Sequence, residues 1–293
     1  MRRSSNRLKL PSWFEGWLGL SIGTYVVLIL LLIAADVWFV AAAWMDDPSK
    51  TQLLSSDVLL DSVKLTFLTC TISAILSVII AVPIGYCLSR YRFWGRSVID
   101  AILDIPVILP PLVIGLSLLI LFNNFPPKQL GWDIGSIEDM IYSVTGRHVT
   151  NTELAVIVAQ FTVAAAFAVR TMKATFDQID PRSEKVAMTL GATRGRAFFD
   201  VVLPQSYKGV VASGTLAWAR ALGEFGPILV FAGTTQGKVD VLSTSVYLEI
   251  NTGNIEGAVV ISLLMIVLAM VTILTVRILT DKDSKVDKGG MSR

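Results

Sequence analysis

Residues 184–204 read EKVAMTLGATRGRAFFDVVLP, a charged amphipathic stretch held between two long apolar runs. Val186, Ala187, Leu190 and Ala197 recur at helical spacing. They therefore share one side, and Lys185, Arg194 and Arg196 take the others. Gly191 interrupts the pattern, and Leu203-Pro204 closes it just before the next apolar run. The spacing predicts a helix–glycine–helix unit that opens at Glu184. Set on a membrane surface, such a unit is shaped to be gripped by a soluble partner.

The sequence on either side is built for lipid. Hydrophobic residues make up 53% of the 293 and charged residues only 16%, against a usual quarter charged. Mean hydropathy is +0.64. Apolar runs cover residues 22–44, 63–88, 98–122, 154–172, 210–233 and 257–279, each close to the ~20 residues that cross a bilayer core. The expected fold is an all-α polytopic membrane protein of about six spans, with unit 184–204 between the fourth and fifth. Residues 1–57 form a tail, the first span and an outer loop. Residues 58–280 form the main transmembrane domain, and 281–293 a polar tail. The first run follows Arg2, Arg3, Arg7 and Lys9 and ends in Ala41-Ala42-Ala43, as a secretory signal does. Its length and the total of six spans favour a retained helix.

Basic residues set the expected topology. An even number of spans puts both termini on one side, together with the loops that contain Arg92 and Arg194. That side carries nineteen lysines and arginines; the other carries Lys50, Lys64, Lys128, Arg147 and Lys238. Both termini and unit 184–204 are therefore expected in the cytoplasm, where ATP is.

Chemical machinery is missing from the pattern. No phosphate-binding glycine-lysine loop and no dinucleotide fingerprint occurs. The single histidine, His148, falls in the predicted outer loop 123–153 with Asp133, Glu138 and Asp139, and the loop either docks a partner or covers the pore. Cys70 and Cys87 lie in one apolar run, roughly 25 Å apart along a helix at ~1.5 Å per residue and too far to bridge. No catalytic residue, metal site, cofactor or nucleic-acid surface is expected; the surrounding medium is lipid.

Two runs carry unusual residues. In the fifth, Arg220 and Glu224 stand four apart on one helical face, bracketed by Gly223 and Gly226 and followed by Pro227. Charges in a span are costly unless they pair or face water. Mutual neutralisation and a place on the translocation path, with Arg220 presented to an anion, are both open. In the third run, Pro106, Pro110 and Pro111 fall within six positions. They either mark the first turns of a span or break it where protein or water covers the freed carbonyls.

The pattern Glu184-x-x-Ala187-x-x-Leu190-Gly191, nine residues, then Val201-x-Leu203-Pro204, resembles the coupling loop of ATP-binding-cassette (ABC) importer permeases. Ala219-Arg-Ala-Leu-Gly-Glu-Phe-Gly226 and Leu109-Pro-Pro-Leu-Val-Ile-Gly115 are similar to the permeases for tetrahedral oxyanions. The double proline and Leu229-Val-Phe-Ala-Gly233 lean to molybdate or tungstate, with sulfate or thiosulfate as the alternative. One departure stands out. The family's Glu-Ala-Ala begins six residues before the glycine, where this chain has Lys185-Val186-Ala187, so Glu184 is displaced by one position.

The resemblance implies that Glu184, Lys185, Ala187, Leu190, Gly191, Ala192, Leu203 and Pro204 couple to a cytoplasmic ATP-binding subunit. It implies a gate or pathway at Arg220, Gly223, Glu224, Gly226, Pro110 and Pro111. A second permease copy completes the pore, a periplasmic or extracellular binding protein delivers the anion, and the setting is a bacterial or archaeal inner membrane. ATP hydrolysis belongs to the separate subunit. A secondary anion transporter is the reading from another class. It would need intramembrane carboxylates and often shows inverted repeats; Asp36 and Glu224 are the central candidates, and no repeat is visible.

Overall fold

The computed structural model describes residues 12–46, 57–125, 135–233 and 239–290. Of the residues invoked for topology, Arg2, Arg3, Arg7, Lys9, Lys50, Lys128, Lys238 and Arg293 lie outside them, as does Asp133. The described residues form helices and no strands. In chain order these are α1 (Ser12–Asp46), α2 (Asp57–Arg90), α3 (Arg96–Ile108), α4 (Pro111–Asn124), α5 (Ile137–Thr145) and α6 (Glu153–Gln178). There follow α7 (Pro181–Thr189), α8 (Arg194–Ala197), α9 (Leu203–Gln205), α10 (Tyr207–Leu222), α11 (Leu242–Asn251) and α12 (Ile255–Gly290). Two π-helical turns, Phe198–Val202 and Ile228–Ala232, follow α8 and Pro227.

Among the described residues four helices are long and apolar enough to cross a membrane: Gly16–Met45, Leu59–Arg90, Glu153–Gln178 and Ile255–Ile278. The expected third span is a bent pair, α3 and α4 meeting at 111°. Its cause is local. Leu109 (φ −68°, ψ 142°) and Pro110 (φ −55°, ψ 134°) are both extended. Each precedes a proline, whose ring disfavours the α conformation in the residue before it. Pro111 then starts α4 at the first helical position, where its missing N–H costs nothing. Pro106 stays inside α3. Between the two readings of the prolines, the structure takes the broken helix.

The expected fifth span is divided as well. α10 ends at Leu222, Gly223 caps it, and helical structure resumes at Gly226, passing into the π-turn Ile228–Ala232. Thus the chain is an all-α polytopic protein as expected, with four candidate spans among the described residues, or five if the bent pair is one span, against the expected six; the divided run 210–233 is not one of them.

Packing centres on α2, α6 and α10. Cys70, Ala74, Ala81, Ala164, Ala168, Met172, Phe176 and Trp218 share one buried cluster. Small residues at such contacts let backbones approach closely where lipid supplies no hydrophobic drive. Gly85 is the clearest instance: a Cβ there would stand 2.8 Å from Met172 Cβ and 2.9 Å from Lys173 N. Buried hydroxyls bridge helices. Ser73 donates to the Ile157 carbonyl at 3.1 Å, Ser213 to the Ala168 carbonyl at 3.2 Å, and Thr66 accepts from Leu242 N at 2.9 Å. α3 is tied to α6 by ion pairs, Asp104 with Arg170 and Asp100 with Lys173.

Candidate functional site

The helix–glycine–helix unit is present, and its local chemistry explains it. α7 starts at Pro181, before the expected Glu184, because Asp180 caps it by accepting from Arg182 N at 2.9 Å while Pro181 takes the first helical position. It ends in a Schellman motif. Gly191 adopts φ +93°, its N–H donates to the Met188 carbonyl at 3.1 Å, and Ala192 N donates to the Ala187 carbonyl at 3.1 Å. Thr193 then caps α8 through Arg196 N.

The predicted stop at Leu203-Pro204 is overturned. Helical backbone continues from α8 through the wide turn Phe198–Val202 into α9 and α10. In a regular helix the Pro204 ring would collide with the carbonyl of Asp200. The π-turn, closed by Leu203 N on the Phe198 carbonyl, absorbs that conflict.

Exposure divides the predicted coupling residues. Leu190 is 83% and Val186 56% exposed, one turn apart, and together form an apolar step on the surface. Lys185 and Gly191 are exposed, and Ala187, Ala192 and Leu203 are half-buried. Pro204 is exposed. Glu184 is different: it is buried and faces its own chain. Tyr86 Oη donates to Glu184 Oε1 at 2.5 Å, and Arg90 Nε stands 3.7 Å from Oε2. Arg90 also donates to the Ile179 carbonyl at 2.9 Å. The displaced acid therefore pins α7 to the end of α2, leaving the apolar step as the outward feature. The rings of Tyr86, Phe176 and Phe198 pack edge-on beneath it.

The second group of predicted residues meets across the two breaks. A Cβ on Gly226 would stand 2.9 Å from Pro111 Cβ and 3.0 Å from Leu112 N. A Cβ on Gly115 would stand 2.8 Å from Pro227 Cα. The break in one span thus seats against the break of the other, and Pro111 and Gly226 meet at one junction, whereas a Cβ on Gly223 would meet only carbonyls of its own helix, Ala219 and Arg220 at 3.9 Å. Gly115 completes the junction. The Leu-Pro-Pro-Leu-Val-Ile-Gly run had contained that residue without marking it.

Arg220 and Glu224 form an ion pair beside this junction, Nη1 to Oε2 at 2.6 Å. The Glu224 side chain is 1% and that of Arg220 28% exposed. Neither carboxylate oxygen accepts a hydrogen bond of normal direction among the described residues, so the contact is mainly Coulombic. Arg220 also lies over the Phe167 ring at 5.6 Å. Ser243 holds the Glu224 backbone, donating to its carbonyl at 2.8 Å. The pair is formed, as the neutralisation reading expects, and the partly exposed guanidinium keeps a face toward the surface, which is compatible with a place on the path as well.

At the opposite end, α5 carries a capping box in which Ser136 and Asp139 satisfy one another's backbone. Glu138 turns inward and accepts from Val149 N at 2.7 Å and Thr150 N at 3.1 Å. His148 stacks on Tyr142 and sits 3.3 Å from Glu138. Glu138 therefore organises the loop rather than its surface, a role that nothing distinguishes in sequence from that of the neighbouring Asp139.

Solved structures and relatives agree with this architecture. A bacterial alginate ABC transporter, crystallised in complex with an alginate pentasaccharide-bound periplasmic protein, matches with TM-score 0.61 at 18% identity. That match covers 92% of this chain and 98% of the other. The chain is 29% identical over 283 residues to the sulfate transport system permease protein CysT of Escherichia coli, covering 95% of this chain and 96% of the relative. A molybdate/tungstate transport system permease protein, WtpB of Thermococcus kodakarensis, is 29% identical and covers 72% of this chain and 76% of its own. A probable molybdenum ABC transporter permease protein of Haloferax volcanii is 34% identical, over 74% and 75% respectively. Residues 75–282, which take in both the pinned surface helix and the interlocked breaks, match the family model of the binding-protein-dependent transport system inner membrane component, and the chain belongs to that family.

Proposed function

We propose that this permease forms half of the pore of an ATP-driven importer for a tetrahedral oxyanion, molybdate or tungstate in the first reading. The observation that carries it is the division within α7. Glu184 is bound inward by Tyr86 and Arg90, while Val186 and Leu190 stand out as an apolar step. A separate cytoplasmic ATP-binding subunit would grip that step. Closing of two such subunits draws the two α7 helices of a homodimer together, and the motion reaches the spans through α8 to α10.

A soluble binding protein docks on the outer side, around α5 and the segments that follow it, and releases the anion into the cavity. Arg220 supplies positive potential near the junction, and separation of the two interlocked breaks opens the path. ATP hydrolysis takes place on the partner, and its products reset the pore inward. Both termini face the cytoplasm of a bacterial or archaeal cell. The sulfate reading has its own support, since the similarity to the sulfate permease runs almost end to end.

The test is copurification of the tagged chain from its native membrane, then ATPase assays with molybdate-, tungstate- and sulfate-loaded binding proteins. Recovery of an ATP-binding subunit stimulated by one loaded protein identifies the cargo; a chain that emerges alone refutes the importer reading. Orientation has a separate test in a cysteine-free background. A cysteine at Arg194 is expected to label only from the cytoplasm and one at Lys238 only from outside. Reversal of either overturns the topology.

A further inference from the structure

Between α10 and α12 runs an open groove of about 460 Å³. Its α10 wall is formed by Val211, Ala212, Thr215, Leu216 and Ala219, residues at helical spacing along one face. Ile273 and Val276 line the α12 side. The only hydroxyl on these walls, that of Thr215, is committed to the Val211 carbonyl at 2.8 Å. What the groove offers along its length is therefore carbon.

One end is different. Lys208 and Arg277 stand together there, one from each helix. Both are exposed. From Lys208 to Ala219 the face rises roughly 16 Å at 1.5 Å per residue, about half of a ~30 Å hydrocarbon core. Two cations at the head of an apolar channel one leaflet deep have the charge and length of a single kind of occupant.

We propose that this groove binds an anionic phospholipid, its phosphate held between Lys208 and Arg277 and an acyl chain laid along α10. Basic residues in pockets between transmembrane helices suit acidic headgroups, and each such charge favours an anionic over a zwitterionic lipid about fivefold. Small residues at Ala212 and Ala219 leave room for the chain. The site uses none of the residues assigned to coupling or to the junction, and it stands whether or not the cargo is an oxyanion.

The test is native mass spectrometry of the purified full-length chain, titrated with phosphatidylglycerol and with phosphatidylcholine, with and without excess inorganic phosphate. Wild type is expected to retain phosphatidylglycerol at least about fivefold better, whatever the phosphate concentration. Lys208→Gln with Arg277→Gln is expected to abolish that preference, and Leu216→Trp to displace both lipids. Equal retention by wild type, or preference persisting in the double variant, overturns the proposal. Displacement by inorganic phosphate also overturns it and points to a soluble-anion site. Should the double variant fail to elute as a single species, a benzophenone side chain at Leu216, photolysed in native membranes, decides. A lipid adduct supports the site, and a crosslinked pair of chains means that a second copy covers the groove.

Discussion

Gly191 and Gly226 both stand at helix breaks, yet the two breaks are built from different information. At Gly191 a backbone at φ +93° closes a Schellman motif, and a Cβ there would meet nothing within 4 Å. The glycine is required by conformation alone, and its surroundings are open. At Gly226 the surroundings are the requirement, because the backbone of another span lies where a Cβ would go. The first break is a local device facing outward; the second is one half of an interlock. The first can be altered without disturbing the fold, and the second cannot.

The hardest test of this contrast lies at the buried end. Arg220→Ala leaves the Glu224 carboxylate buried without its counter-charge, and removing one partner of such a pair costs about 3–5 kcal/mol. Arg220→Ala combined with Glu224→Gln is expected to recover most of that loss. Thermal unfolding of the detergent-solubilised chain measures both, and equal damage by the single and double changes would mean that the residues act separately. Gly226→Val comes next. Overpacking against Pro111 and Leu112 is expected to cost about 1–3 kcal/mol and to lower the yield of folded chain. Gly115→Ala tests the opposite side of the same contact.

Gly191→Val is milder. The left-handed conformation costs a side-chain-bearing residue roughly 1–2 kcal/mol, borne by an exposed turn. Normal yield with ATP hydrolysis uncoupled from transport is expected; intact coupling would break the contrast at its outward end. The smallest effect on stability belongs to Leu190→Asp, within about 0.5 kcal/mol for an exposed substitution. Its expected consequence is loss of the ATP-binding subunit on copurification. Retention of that subunit would move the docking surface elsewhere.

Legibility in the sequence follows the same division. The surface unit could be read because its determinants are neighbours in the chain: the 3–4 spacing, Gly191 and the Thr193 cap. Even so, Asp180-Pro181 is a start signal that the apolar periodicity obscures, and Pro204 reads as a stop because a π-turn leaves no mark in apolar spacing. Arg220 and Glu224 were legible as a pair, being four apart. What could not be read was the seat of Gly226 on Pro111 and of Gly115 on Pro227, since contacts between residues more than a hundred positions apart have no local signature. Glu184 illustrates the limit most directly. Its position suggested an outward contact, and only the approach of Tyr86 and Arg90 from α2 turns it inward.

The helical path from Arg194 to Leu222 has a consequence for how this chain could evolve. Because the backbone stays helical through the wide turn, α9 and Ser206, the angular phase of Phe198, packed on Tyr86 of α2, is locked to that of Arg220. A single-residue insertion between them would turn one against the other by about 100°, swinging Arg220 off Phe167 or Phe198 off α2. Substitutions along this screw can be absorbed one at a time. Length changes cannot, and they belong instead where the chain leaves the helix.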